Sequence, residues 1–124
     1  LGFSEGAKAS LYLPVDETAD APTVEDALKN PNSLYYHVQK LIALRHEHKD
    51  LQSVNNFEVF YAEENSKLFA YKRGEFIVIL NPSYKQHSLD VIGNYQIVYA
   101  VGNISQKDGG FILGAQSFIL GKEV

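Results

Sequence analysis

The stretch 34–51, LYYHVQKLIALRHEHKDL, decides how the rest of the chain is read. Leu34, Val38, Leu41 and Ile42 fall at i, i+4, i+7 and i+8, which is one face of a helix. Tyr35 and Leu44 widen that face, and Asn32 or Ser33 can cap its start. The polar end, Arg45-His46-Glu47-His48-Lys49, brings cations to the negative end of the helix dipole. The spacing predicts a helix over 34–48. Just upstream, Thr23-Val24-Glu25-Asp26 resembles a capping box, so a short helix starts there. It should stop at Lys29 or Asn30, because Pro31 disfavours the helical conformation in the residue before it.

From Asn56 onward the apolar period changes from 3.6 to 2 or to short continuous runs. Phe57–Tyr61, Leu68–Lys72, Phe76–Leu80, Ser88–Val91, Gln96–Val101 and Ser117–Leu120 read as strands, with Phe111–Leu113 as a seventh. Between them lie turn signals such as Arg73-Gly74, Asn81-Pro82-Ser83, Gly93-Asn94 and Asp108-Gly109-Gly110. The predicted fold class is mainly β: an antiparallel β-sandwich of six to seven strands, preceded by a short helix and one longer helix. Phe57–Tyr61 and Phe76–Leu80 are expected in its core, whereas residues 1–22 look irregular and suited to lying across another surface. The division falls at 1–52 and 53–124.

A chain of 124 residues can bury one core, and 45% hydrophobic with 21% charged residues is ordinary globular composition. A net charge of -4 with no cluster of Lys and Arg argues against nucleic acid as a partner. No apolar run approaches the ~20 residues needed to span a bilayer. Without Cys there is no disulfide, thiolate nucleophile or Cys-ligated zinc, which fits the cytoplasm without excluding export. With no Met and a start at Leu1-Gly2-Phe3, the chain reads as an excised or processed piece of a longer polypeptide.

His46-Glu47-His48 invites a metal reading. The metalloprotease pattern needs two His at i and i+4, whereas these are at i and i+2 and point ~200° apart on a helix. The i+4 partner of His46 is Asp50, which makes only a two-ligand site. A solvated helix end is the better reading, and no metal or cofactor is expected. No nucleophile elbow, phosphate loop or dinucleotide fingerprint is present, so no residue is assigned a catalytic role. Tyr35, Tyr36, Tyr84 and Tyr95 are the candidates for surface aromatics that could stack on a sugar, against a plainer role as sheet formers.

An ordered series of short motifs adds a resemblance. Gly2-Phe3-Ser4, Leu13-Pro14-Val15, Thr23-Val24-Glu25, Asn30-Pro31-Asn32-Ser33-Leu34 and Lys40-Leu41-Ile42-Ala43-Leu44-Arg45-x-x-His48-x-x-Leu51 occur in that order. Together they resemble the end of the catalytic module in the α-amylase superfamily, glycoside hydrolase family 13, especially its oligo-1,6-glucosidase-like and α-glucosidase-like members. Phe69-Ala70-Tyr71 and Val78-Ile79-Leu80-Asn81-Pro82-Ser83 are similar to strands downstream in that family. The resemblance implies that 1–52 are the end of a (β/α)8 barrel, with loop, short helix and last barrel helix. It makes 53–124 a C-terminal sandwich, structural and non-catalytic. The implied partners are the barrel of the same parent chain and, through the parent, an α-glucan or maltooligosaccharide. The family's catalytic carboxylates lie upstream and match no residue here, while Gly2, Phe3 and Ser4 resemble a loop near the active-site mouth. An exposed helix 34–48 further implies self-association of the isolated chain. The alternative is an independent carbohydrate-binding or protein-interaction β-sandwich module.

Overall fold

The computed structural model describes residues 8–10, 12–14, 16, 18–54 and 56–124. They form two compact units that divide between Leu44 and Arg45. The first holds a 3-10 turn (Lys8–Ser10), α1 (Val24–Lys29) and most of α2 (Leu34–Glu47). Both helices match the expected spans closely. Thr23 caps α1 by accepting the Asp26 N–H at 3.1 Å, and its hydroxyl donates to Asp26 Oδ2 at 2.6 Å. Asp thus takes the place that Glu or Gln fills in the usual capping box.

The corner between α1 and α2 is built from carbonyls that α1 cannot satisfy internally. The Ser33 hydroxyl donates to the Ala27 carbonyl at 2.7 Å. One turn on, the Tyr36 hydroxyl donates to the Leu28 carbonyl at 2.8 Å. Both residues belong to the start of the second helix, so the corner angle is set by hydrogen bonds rather than by packing alone.

The second unit holds the last turn of α2, a 3-10 turn (Lys49–Leu51) and eight strands. These are β1 (Glu58–Ala62), β2 (Phe69–Arg73), β3 (Phe76–Asn81), β4 (His87–Asp90), β5 (Tyr95–Val101), β6 (Ile104–Lys107), β7 (Gly110–Leu113) and β8 (Ser117–Glu123). The pairing is antiparallel throughout, in one sheet of order β1-β2-β3-β8-β5 and one of order β4-β7-β6. Ala70, Ile77, Ile79, Tyr95 and Ile119 of the larger sheet share one buried cluster with Leu89, Phe111 and Leu113 of the smaller. The fold is therefore the expected antiparallel sandwich.

Two expectations need correction. The described residues form eight strands rather than six to seven, because β6 also pairs, along its whole length with β7. Phe57–Tyr61 reaches the core only through Phe60 and Tyr61, which are half-buried against the cluster. Phe57 is 57% exposed, β1 is the edge strand of its sheet, and its ladder shifts register between Val59 and Tyr61. An edge strand has a neighbour on only one side, which leaves Val59 exposed as well.

The two sheets are also joined through a buried polar group. Asn81, at the end of β3, is 1% exposed. Its Nδ2 donates to the Lys85 carbonyl at 2.8 Å and the Gly114 carbonyl at 2.7 Å, with a longer contact to Leu113 at 3.2 Å. Its Oδ1 accepts from the Ser83 hydroxyl at 2.7 Å and the Ser83 N–H at 3.2 Å. A buried amide with every group partnered can define a single arrangement of the loops around it.

Candidate functional site

Three places could carry function: the polar end of α2, the apolar face of α1 and α2, and a polar recess at one end of the sandwich.

At the end of α2, His46 is exposed. Its expected partner Asp50 is engaged elsewhere, accepting the Glu75 N–H through Oδ2 at 3.0 Å. The His48 ring packs on Phe76 with centroids 4.8 Å apart. Among the described residues no group of three or more His, Cys, Asp or Glu is placed to hold a metal ion. The cluster is a helix end, and His48 and Asp50 are contacts with the sandwich.

The apolar face of the helical unit is open. Leu34 is 77% and Ile42 52% exposed, with Val38 and Leu41 exposed beside them. Pro22, Val24, Ala27, Leu34, Val38 and Ile42 line an apolar groove of about 590 Å³ between the helices. Leu44 differs in being buried. No helix among the described residues is long and apolar enough to cross a membrane.

The recess lies between the β4–β5 connection and the β6–β7 turn and encloses about 260 Å³. Asn94, Gln106, Lys107 and Asp108 give it polar walls, and Tyr95 and Phe111 are among its lining residues. Gln106 Nε2 donates to the Tyr95 carbonyl at 3.2 Å, and Lys107 pairs with Asp90 at 2.8 Å. Sequence reading missed this place, since β6 was not recognised and its polar residues lie far apart along the chain.

The tyrosines divide. Tyr84 and Tyr35 are exposed, and Tyr36 is half-buried with its hydroxyl bonded to Leu28. Tyr95, expected at the surface, is 5% exposed and belongs to the core cluster. Gly2, Phe3 and Ser4 lie outside the described residues. Two surface groups are electrostatically perturbed. The N–H and then the hydroxyl of Thr18 hold the Asp16 carboxyl below its usual range. The hydrogen bond to Glu25 raises Lys29.

No protein-family model matches the chain. It is 42% identical over 72 residues to an oligo-1,6-glucosidase of Halalkalibacterium halodurans, covering 58% of this chain and 12% of that protein. It is 34% identical over 101 residues to a glucan 1,6-alpha-glucosidase of Streptococcus pneumoniae, covering 78% of this chain and 18% of that protein. The structure superposes on Eubacterium rectale Amy13B with a TM-score of 0.74 and 23% identity, covering 90% of this chain and 23% of that one. The chain thus spans a small part of the length of the relatives it matches. Sequence relatedness to these enzymes, together with the shared helix-then-sandwich fold, places the chain in the α-amylase superfamily, glycoside hydrolase family 13, as a C-terminal region of such an enzyme.

Proposed function

We propose that this chain is the non-catalytic C-terminal part of an enzyme that cleaves or transfers α-glucosidic bonds. On this reading 1–52 close the catalytic (β/α)8 barrel and 53–124 form the sandwich domain that follows it. The observation that carries the proposal is the row Leu34, Val38, Leu41 and Ile42, exposed together on α2. A helix with one apolar face ordinarily buries it against another element. Among the described residues this face of the helix stays exposed, and the relatives are several times longer than this chain. The last helix of a barrel ring has such a partner in the neighbouring helices and strands.

The parent's chemistry would be the retaining mechanism, with a carboxylate nucleophile and a carboxylic acid about 5–5.5 Å apart. Both groups belong to the barrel, as does the α-glucan or maltooligosaccharide they act on. Gly2, Phe3 and Ser4 would approach the mouth of that site. Alone, the chain turns over no α-glucoside and associates with itself through α2, since a bare apolar patch of this kind favours contact.

The coding sequence upstream of Leu1 tests the proposal. A barrel carrying an aspartate nucleophile and a glutamate acid is expected there, and an unrelated domain would overturn the reading. A purified 124-residue chain that hydrolysed a nitrophenyl α-glucoside would overturn its non-catalytic part.

A further inference from the structure

We propose that the polar recess at the end of the sandwich is a binding site for a neutral pyranose, a single glucosyl unit held apart from the barrel's active site. The choice of glucose rests on the α-glucan reading above, whereas the site itself rests on the geometry of the sandwich.

The recess has a built frame. Its two walls, the β4–β5 connection and the β6–β7 turn, are tied by the Val91 N–H donating to the Gly109 carbonyl at 2.7 Å. Gln106 is oriented by its bond to the Tyr95 carbonyl, so its amide needs no reordering when a ligand arrives. Connections at one end of a sandwich, held by a rigid core, are the usual place for a binding site. A methyl group added at Gly109 would meet nothing within 4 Å, which leaves that side open for entry.

The chemistry selects the ligand. Asn94, Gln106 and Asp108 are among the lining residues, so amide donors and acceptors and a carboxylate belong to its walls, with one Gln106 N–H already given to the Tyr95 carbonyl. A pair of neighbouring sugar hydroxyls, each both donor and acceptor, matches that set. Lys107, a cation of the lining, is ion-paired with Asp90 at 2.8 Å, and Asp108 adds a carboxylate, so the charged groups at the recess do not sum to a positive charge. A phosphorylated or carboxylated ligand would therefore be disfavoured. The volume of about 260 Å³ lies below the ~300–1,000 Å³ of pockets for drug-sized ligands, which suits one ring rather than a chain.

The test is an NMR titration of the full 124-residue chain with methyl α-glucoside, with glycerol and glucose 6-phosphate as comparisons. The amides of 93–94 and 106–110 should shift saturably at millimolar glucoside, with little response to glycerol and weaker binding of the phosphate. Asn94→Ala and Asp108→Ala should each weaken binding about tenfold, the size of one lost hydrogen bond, and Asp108→Asn should recover part of the loss. Unchanged amides at Ile77 and Ile119 would show that the core is intact in these variants. The proposal fails if no saturable shift occurs by ~100 mM, a dissociation constant at which the binding energy is negligible. It also fails if glycerol produces the same shifts, or if the glucoside perturbs only other residues. Such a failure would leave the barrel reading standing, because the upstream sequence decides that separately.

Discussion

Asp50 Oδ2 accepts the backbone N–H of Glu75 at 3.0 Å, hydrogen-bonding the chain that leaves α2 to the turn between β2 and β3. Arg73, at the end of β2, donates through Nη2 to the Gln52 carbonyl in the same segment. The carbonyl of Glu75 accepts from Glu123 at 2.8 Å, which adds the end of β8. Three stretches far apart in sequence therefore meet at one turn. The residues just past α2 are fixed to the sandwich by polar contacts, not merely strung between elements.

Asp50→Ala removes an acceptor that is charged and half-buried, and should destabilise the sandwich by about 1.5 kcal/mol. Gly74, in the same turn, has φ +54, and a methyl group there would come within 2.3 Å of Asp50 Oδ2. Gly74→Ala therefore carries the left-handed backbone cost of about 1 kcal/mol and in addition displaces the carboxylate. Urea denaturation of the single and double variants should show a double change smaller than the sum. Strict additivity would mean that the turn and the carboxylate are not coupled.

Asn81→Ala would remove the amide that bridges Lys85, Gly114 and Ser83, and would take from the buried Ser83 N–H its acceptor. A loss of about 3 kcal/mol is expected from thermal or chemical melts. Asn81→Asp should be at least as harmful, because a carboxylate would face carbonyl oxygens where Nδ2 now donates. An Asp variant as stable as the original would show that the amide does not hold the loops.

Asp16 should titrate below the ordinary carboxylate range in a carbon-detected NMR titration, and Thr18→Val should move it upward. The Thr18 side chain and N–H bind the charged form. Their contribution is present above the unfolded carboxyl value and is lost as pH falls through the lower folded value. The group is exposed, so the effect on global stability should be small and the site-specific shift is the readout.

The elements that patterning reveals are those whose apolar face has a regular period. The stripe from Leu34 to Ile42 and the β-branched run Phe76–Leu80 are both of this kind. Strand β6 was hidden because only Ile104 in Ile104–Lys107 is apolar, and Gln106 meets its needs by bonding to the Tyr95 carbonyl instead of by packing. The end of β8 was hidden for a similar reason. Gly121 interrupts the pattern, yet it pairs with Ile77, and a Cβ there would press on that side chain at 3.1 Å. Tyr95 looked like a surface aromatic beside Gly93-Asn94, but it opens β5 with its side chain in the core. At the helix end, the i, i+2 spacing of His46 and His48 argued against both imidazoles sharing one helical face. The bond from Glu75 to Asp50 spans 25 positions, and no local pattern announces it.

Ile42→Lys places a charge on a side chain already 52% exposed. In the isolated chain it should change stability by no more than about 0.5 kcal/mol and should reduce self-association seen by sedimentation. In a longer parent enzyme the same change should be strongly destabilising, because it would bury an unpaired cation.

The most direct measurement compares side-chain labelling of Leu34, Val38 and Ile42 in the 124-residue chain with labelling in the longer polypeptide that contains it. Hydroxyl-radical footprinting at matched dose should show all three reactive in the chain alone and strongly protected in the parent. Equal reactivity in both would contradict the claim that this face is the chain's contact with a catalytic barrel.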